Sequence, residues 1–301
     1  MRRIRSSKPV GEMTTVALLN ANPIKELGTI SPYHEILLKG MLEQGMELGY
    51  QIEPFWLDEA SMPQRRMSQI LESRGIQGII IPPISDFGKI LNFNWEAFSV
   101  VTIGYSLLEP RFNRVVGNQR QAIFNCLQKL LETGHKRIGA VWHELHDARL
   151  TFITDTVYIW FQQKLPESRR IPLLKLPESM DGNDEILSKW LQSNRPDAII
   201  THDPTLCDTI ERLGYHIPDD FSIVTQGPIA AKDKQTGYRL SSVEIGHQVV
   251  KMLDSQLQQN VFGIPEFPIT SLVDMQWTEG KTLKRRGPPD PLAGFLGHTA
   301  W

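Results

Sequence analysis

Short, fully apolar runs alternate with longer stretches in which apolar residues return every three or four positions, beginning just after residue 13. The first run, Thr15-Val-Ala-Leu-Leu19, ends at Asn20, Asn22 and Pro23, the pattern of a parallel strand buried on both faces. A helix is predicted from Ser31-Pro32, an N-cap and first-turn proline. It sets Leu37, Met41 and Leu48 on one side and Lys39, Glu43 and Glu47 on another, and Gly49-Tyr50 stops it. Gln51 to Trp56 reads as a second strand, Met67 to Ser73 as a second helix, and Gly78 to Ile81 as a third strand broken by Pro82-Pro83. This β-α-β-α-β order predicts a parallel sheet with right-handed crossovers.

The cycle continues through Val100-Val-Thr-Ile103, an amphipathic helix from Gln119 to Glu132, and the strand Arg137 to Val141. A second round follows. It comprises a helix over Thr154 to Lys164, the strand Pro172-Leu-Leu174, a helix over Glu185 to Gln192 and the strand Asp197 to Ile200. Cys207 to Leu213 then reads as a helix, Phe221 to Val224 as a strand and Ile245 to Gln258 as a helix. About ten strands would strain one twisted sheet, so the pattern predicts an α/β protein of two doubly wound parallel-sheet lobes. Beyond Leu283 the run Lys284-Arg-Arg-Gly-Pro-Pro-Asp-Pro loses periodicity, and residues 284–301 are expected to form a disordered tail.

Composition narrows the functional classes. With 301 residues and 41% hydrophobic positions the chain can bury real cores, while Lys+Arg 32 against Asp+Glu 34 lacks the basic excess of a dedicated nucleic-acid binder. Cys126 and Cys207 lie in separate periodic segments, without the spacing of a metal knuckle or redox pair, and read as buried thiols. The basic start Arg2-Arg-Ile-Arg5 is followed by only the short apolar run Val16 to Leu19, which makes no secretion signal. No stretch approaches membrane length, and the expected location is the cytoplasm.

Several collinear segments resemble the regulatory domain of the LacI/GalR family. Tyr33-His-Glu-Ile-Leu-Leu-Lys-Gly40 with Glu47-Leu-Gly-Tyr50 is similar to its first helix, and Gln69 to Ile81 to the segment leading into its third strand. Thr133-Gly-His-Lys-Arg-Ile138 looks like the entry to the second lobe, and Arg195-Pro-Asp-Ala-Ile-Ile200 resembles the Pro-Asp-Ala strand. Leu213-Gly-Tyr-His-Ile-Pro-Asp-Asp-Phe-Ser-Ile-Val224 matches a family signature, and Trp277-Thr-Glu-Gly-Lys-Thr-Leu283 matches an ending found in one branch.

The resemblance implies a periplasmic-binding-protein-like type I architecture with three crossovers. Lobe 1 is expected over 14–134 and 244–262, lobe 2 over 135–243 and 263–283, and a flexible basic segment over 1–13. It also implies a homodimer that senses a small-molecule effector, a sugar or sugar acid. Members bind operator DNA through a helix-turn-helix headpiece, for which Met1 to Met13 leave no room. No cofactor or membrane partner is implied.

The family binds ligand between the lobes, at the carboxyl ends of the strands. The resemblance there nominates Tyr33, Ser85, Asn118, Trp142, Arg149, Asp203 and Gln226 as ligand-binding residues. Tyr33 offers an aromatic face for a sugar ring, with loop packing as the alternative. Arg149 offers a fork of donors and matches the arginine of an Arg-x-x-Gly-Phe segment whose Gly-Phe is replaced here. Asp203 either contacts ligand or caps the helix near Pro204. Trp142 ends a strand but is of a type that more often packs in a core.

Two departures stand out: Gly117-Asn118 replaces Asp-Asn, and Thr225-Gln-Gly-Pro228 replaces Gly-Phe-Asp-Asp. Gly227 removes an acidic acceptor for sugar hydroxyls, which shifts the expected preference toward ligands bearing a carboxylate, with Gln226 offering an amide.

The cluster His143-Glu-Leu-His-Asp147 departs from zincin spacing, because its second histidine falls one residue early, and no metal is expected there. No Gly-x-Ser-x-Gly elbow, Walker loop or Gly-x-Gly-x-x-Gly follows a strand, so no catalytic residue is nominated and an enzyme is not expected. The alternative function is a solute-binding protein of a sugar transporter, which shares the architecture but needs export.

Overall fold

The computed structural model describes residues 13–57, 63–86, 88–178, 182–227 and 235–299. The basic segment Arg2 to Lys8 lies outside them, as do the side chains of His146 and Asp147. The chain divides into two units. Unit 1 takes the chain up to Val116 together with Ser242–Leu272, and unit 2 takes Gly117–Ser241 together with everything from Val273 onward. The chain therefore crosses between units three times.

Unit 1 is a six-stranded sheet in the order β11-β5-β4-β3-β1-β2. Its strands are β1 (Thr14–Asn20), β2 (Tyr50–Trp56), β3 (Gly78–Ile81), β4 (Ser99–Ile103), β5 (Asn113–Gly117) and β11 (Thr270–Val273). The pairs from β2 through β5 are parallel. The apolar runs that predicted β1 and β3 are buried on both faces, which is why they lack polar alternation. Helix α1 (Pro32–Glu47) packs along α8 (Ser242–Gln259) through Leu37, Met41, Val249 and Leu253, each at most 1% exposed. Two glycines permit the close approach. A Cβ on Gly246 would stand 2.6 Å from the Leu37 carbonyl oxygen, and one on Gly40 2.3 Å from that of Val243. Tyr50 donates a hydrogen bond to Asp254 at 2.6 Å, tying β2 to the same helix. The other face of the sheet is covered by α2 (Gln64–Ser73) and the segment through Trp95 and Phe98, around Leu19, Ile79, Ile81 and Leu71.

Unit 2 repeats the topology. Its sheet runs β12-β10-β9-β8-β6-β7, built from β6 (Ile138–His143), β7 (Leu174–Leu176), β8 (Ala198–Thr201), β9 (Ser222–Gly227), β10 (Thr236–Arg239) and β12 (Gln276–Thr278). β12 is antiparallel to β10, and the pairs from β7 through β10 are parallel. In both sheets the chain order turns around beside the first strand, giving 2-1-3-4-5 and then 7-6-8-9-10. The cysteines are free and buried, and burial pushes the Cys126 thiol up to about 12.

Three expectations are corrected. The first crossing falls at Val116–Gly117, ahead of 134, because α3 (Gln119–Glu132) seats Ile123, Leu127 and Leu130 in the core with Phe161 and Val224 of unit 2. Residues 263–272 belong to unit 1, where β11 joins the sheet beside β5. The segment 284–299 is an ordered part of unit 2. Arg286 and Asp290 donate backbone hydrogen bonds to the carbonyls of Thr133 and Leu131, Asp290 pairs with Arg169 at 2.9 Å, and α9 (Leu292–Thr299) buries Ala293 and Leu296.

Candidate functional site

In a doubly wound sheet the loops after the two strands flanking the reversal of strand order diverge to opposite faces, leaving a polar crevice at their carboxyl ends. In unit 1 those strands are β1 and β3, and in unit 2 they are β6 and β8.

At the unit 1 juncture, Ser85 donates both its backbone N–H and its hydroxyl to Oδ1 of Asn22, at 2.7 and 2.8 Å. The Asn22 amide nitrogen donates to the Pro83 carbonyl at 3.0 Å and to Oδ1 of Asn20 at 2.9 Å, and the Asn20 amide nitrogen donates to the carbonyls of Ile24 and Lys25. The two loops are thereby fixed to each other. Tyr33, in the first turn of α1, is partly buried and meets the His34 ring edge-on at 5.3 Å. Burial raises the Tyr33 phenol above its ordinary range, which keeps it neutral.

At the unit 2 juncture, Val141, Thr201 and Thr225 are level across β6, β8 and β9, so His143, Asp203 and Gly227 stand at one height two residues further on. His143 Nε2 lies 3.3 Å from Asp203 Oδ2, and its Nδ1 lies 3.2 Å from the Pro177 carbonyl oxygen. The other Asp203 oxygen accepts from the Thr205 N–H and hydroxyl at 2.8 and 2.7 Å, opening helix α7 (Leu206–Arg212). Asp203 thus closes the turn that leads to Thr205, the N-cap of α7, through one oxygen, while the other faces His143. The loop expected after β6 is a short helix, α4 (Glu144–Arg149), which brings Arg149 to a cavity of about 170 Å³ shared with His143, Leu145 and Glu178. The next residues are unusual: Thr151 and Phe152 both take left-handed backbone, φ +57° and +59°, before α5 (Ile153–Lys164). Phe152 stands where the resembling segments carry glycine, the residue that adopts this conformation without steric cost.

The remaining nominated residues are placed differently. Trp142 is 1% exposed, donates its indole N–H to Asp155 at 2.9 Å and packs on Tyr158 and His202, so it presents no platform for a sugar ring. Gln226 is also 1% exposed, and its amide nitrogen is taken by the side chain and carbonyl of Gln119, at 2.6 and 3.0 Å. It braces β9 against the start of α3. Asn118 caps α3 by accepting from the Gln121 N–H and donates to Asp274 at 2.7 Å. Gly227 has φ +136°, a conformation strained for any aspartate placed there. The reading of His143 with His146 and Asp147 as a metal site falls on side chains outside the described residues.

Asn22 and His143 were not nominated by the sequence. The signal was present for both, as each is a polar residue at the end of an apolar strand, but a lone asparagine or histidine there reads equally well as a strand terminator.

A model of the periplasmic binding protein-like domain matches residues 127–276. No curated protein sequence matches the chain. Among solved structures, a transcriptional regulator of the LacI family from Rhizobium etli is similar at TM-score 0.63 with 18% identity, over 89% of this chain and 98% of that one. A LacI family transcriptional regulator from Enterococcus faecium, with bound ribose, gives TM-score 0.61 with 16% identity over 91% and 100%. The regulator CCPA from Weissella paramesenteroides, with bound glucose, gives 0.61 with 18% identity over 90% and 98%. Residues 127–276 are thus similar in sequence to the periplasmic binding protein-like domain, and over about nine-tenths of its length the chain shares the fold of the solved LacI-family regulators.

Proposed function

We propose that the chain is the effector-sensing part of a LacI-type transcription regulator, and that its effector is a small carbohydrate with a preference for sugar acids. The observation that carries this reading is the twofold repetition of one polar juncture. Asn22 with Ser85 in unit 1, and His143 with Asp203 in unit 2, occupy the crevice position where doubly wound sheets take ligands. Two of the similar structures hold ribose and glucose. Tyr33, Ser85, Arg149 and Asp203 are the proposed contacts. Arg149 supplies a fork of donors, Asp203 Oδ2 supplies one acceptor, and Gly227 supplies none, which favours a ligand that brings a carboxylate of its own. In this reading a homodimer carries the signal, and operator contact falls to a headpiece of the kind the family has. Ligand drives such a switch only by binding one conformation better than another.

Calorimetry of the full chain against ribose, glucose, glucuronate and galacturonate tests the reading. A uronate is expected to bind, and Arg149→Ala is expected to weaken it by about 1.5 to 3 kcal/mol, the range of a charge-assisted hydrogen bond. Tight binding of a neutral sugar that survives Arg149→Ala overturns the acid preference and the role of Arg149. The absence of binding by every sugar overturns the carbohydrate reading.

A further inference from the structure

Arg114 sits in β5, level with Thr102 of β4 and through it with Ile81 of β3. Those neighbours are 2% and 0% exposed, and Arg114 itself is 8% exposed. The residues that follow it, Val115 and Val116, are apolar and buried, as a strand in this position requires. An apolar side chain at 114 would fit the same surroundings, whereas the guanidinium there keeps only a narrow edge in solvent and loses much of its hydration, which an accepting group would restore.

Among the described residues no hydrogen-bond acceptor or counter-ion meets it. No carboxylate forms an ion pair with Arg114, and no acceptor takes a hydrogen bond from its guanidinium. The side chain's contact is with the ring of Tyr105, 5.4 Å from the guanidinium carbon. Glu109 is near enough to be felt but pairs with the exposed Arg111 at 3.3 Å. One strand away and on the same level, the Thr102 hydroxyl is sealed from solvent without a partner. Burial lowers Arg114 from its ordinary value, with Tyr105 and Glu109 opposing the effect and Arg111 adding to it, as befits a cation that lacks its counter-ion.

We propose that Arg114 anchors an anion site in unit 1 that takes a small oxyanion, a carboxylate or a phosphate group. The guanidinium fork matches either group with two parallel N–H donors, and the Tyr105 ring backs its plane. The residues assigned above to the effector lie on other segments, so this site stands or falls independently of that reading. Arg114 is two residues from Val116, where the chain leaves unit 1, so an anion held there acts on the first connecting strand.

Thermal unfolding of the full chain in chloride, acetate and inorganic phosphate, at matched ionic strength and pH, tests the proposal. The wild type is expected to show a saturable rise in Tm of about 2 to 4 °C with acetate or phosphate over chloride. Whichever anion gives the larger rise identifies the group. Arg114→Met is expected to lose the rise and, in chloride, to be at least as stable as the wild type, because it removes an unpaired charge at similar volume. Arg114→Lys keeps the charge without the fork and is expected to respond less than the wild type. An identical anion response in wild type and Arg114→Met overturns the proposal. So does a wild type indifferent to both anions, a result that decides the matter even if Arg114→Met fails to fold.

Discussion

His143 Nε2 stands 3.3 Å from Asp203 Oδ2, and the two residues leave neighbouring parallel strands at the same height. Because Oδ1 of Asp203 is already engaged by Thr205, the carboxylate serves two purposes through two different atoms, and substitution can separate them.

Asp203→Asn keeps an oxygen for Thr205 and removes the charge, whereas Asp203→Ala removes both. The alanine variant is expected to lose about 1 kcal/mol of stability, the usual net worth of a hydrogen bond, and the asparagine variant a few tenths. Both are expected to bind sugar at least about tenfold more weakly if Oδ2 is a ligand acceptor. Chemical denaturation beside calorimetry reads the two effects separately. An asparagine variant that binds as the wild type does would reduce Asp203 to its role in the turn before α7.

Thr151 carries a β-branched side chain in left-handed backbone, directly ahead of Phe152 in the same conformation. Such a residue costs on the order of 1 kcal/mol relative to glycine. Thr151→Gly is accordingly expected to raise stability by about 1 kcal/mol in urea denaturation. If instead it destabilises the chain, the Thr151 side chain is making contacts that outweigh the backbone strain. The strain sits two residues after Arg149, in the segment that presents the proposed ligand contact, where local strain is often retained for function.

His135 is fully buried, with Nδ1 beside the Thr133 hydroxyl and the Leu130 carbonyl and Nε2 3.0 Å from the Ser222 hydroxyl. Burial lowers its pKa below the ordinary 6.5, with Asp197 and the Leu130 carbonyl opposing and Arg286 adding to the effect. The unfolded chain then binds a proton more readily than the folded one. The stability this group contributes is complete above the ordinary histidine value, and it is lost as pH falls through that value toward the folded one. Tm is expected to fall between about pH 7 and 5 more steeply in the wild type than in His135→Gln. Parallel profiles for the two would assign the acid sensitivity elsewhere.

The segment beyond Leu283 makes a third region accessible to test. Its Leu296 and Ala293 sit in the core with Phe161 and Leu127, and Asp290 meets Arg169. Burial of one leucine alone is worth about 1.5 to 3 kcal/mol, so a chain ending at Leu283 is expected to lose several kcal/mol. Because unit 1 contains no part of this segment, loss of a single phase in a two-phase urea transition is the expected signature. Unchanged unfolding would mean that the segment contributes nothing to unit 2.

The regular elements were legible where periodicity and burial coincide. The strand 78–81 and the helix 119–132 have the limits their patterns predicted. The short late strands were not legible: β10, β11 and β12 are three or four residues long, and alternate exposure in β11 leaves too little apolar signal. The tail misled because Pro288, Pro289 and Pro291 look like a linker, although Leu292 to Leu296 supplies one apolar helical face. Of the candidate site, Asp203 and Arg149 were reachable from local pattern. Trp142 and Gln226 were not separable from core residues, because a strand's last inward position and its first outward one differ only by register, which a single sequence does not reveal.

The helix α8 completes unit 1 only because Gly246 lets it lie against α1, some two hundred residues earlier in the chain. On a ribosome that spacing has a consequence in time. The first five strands emerge early but wait, with the part of one face beside α1 uncovered, until α8 has been made. Unit 2 closes later still, when α9 arrives. Between the making of β5 and of α8 the nascent sheet therefore keeps apolar surface open to chaperones, and a bulkier residue at position 246 would prolong that exposure into the folded molecule.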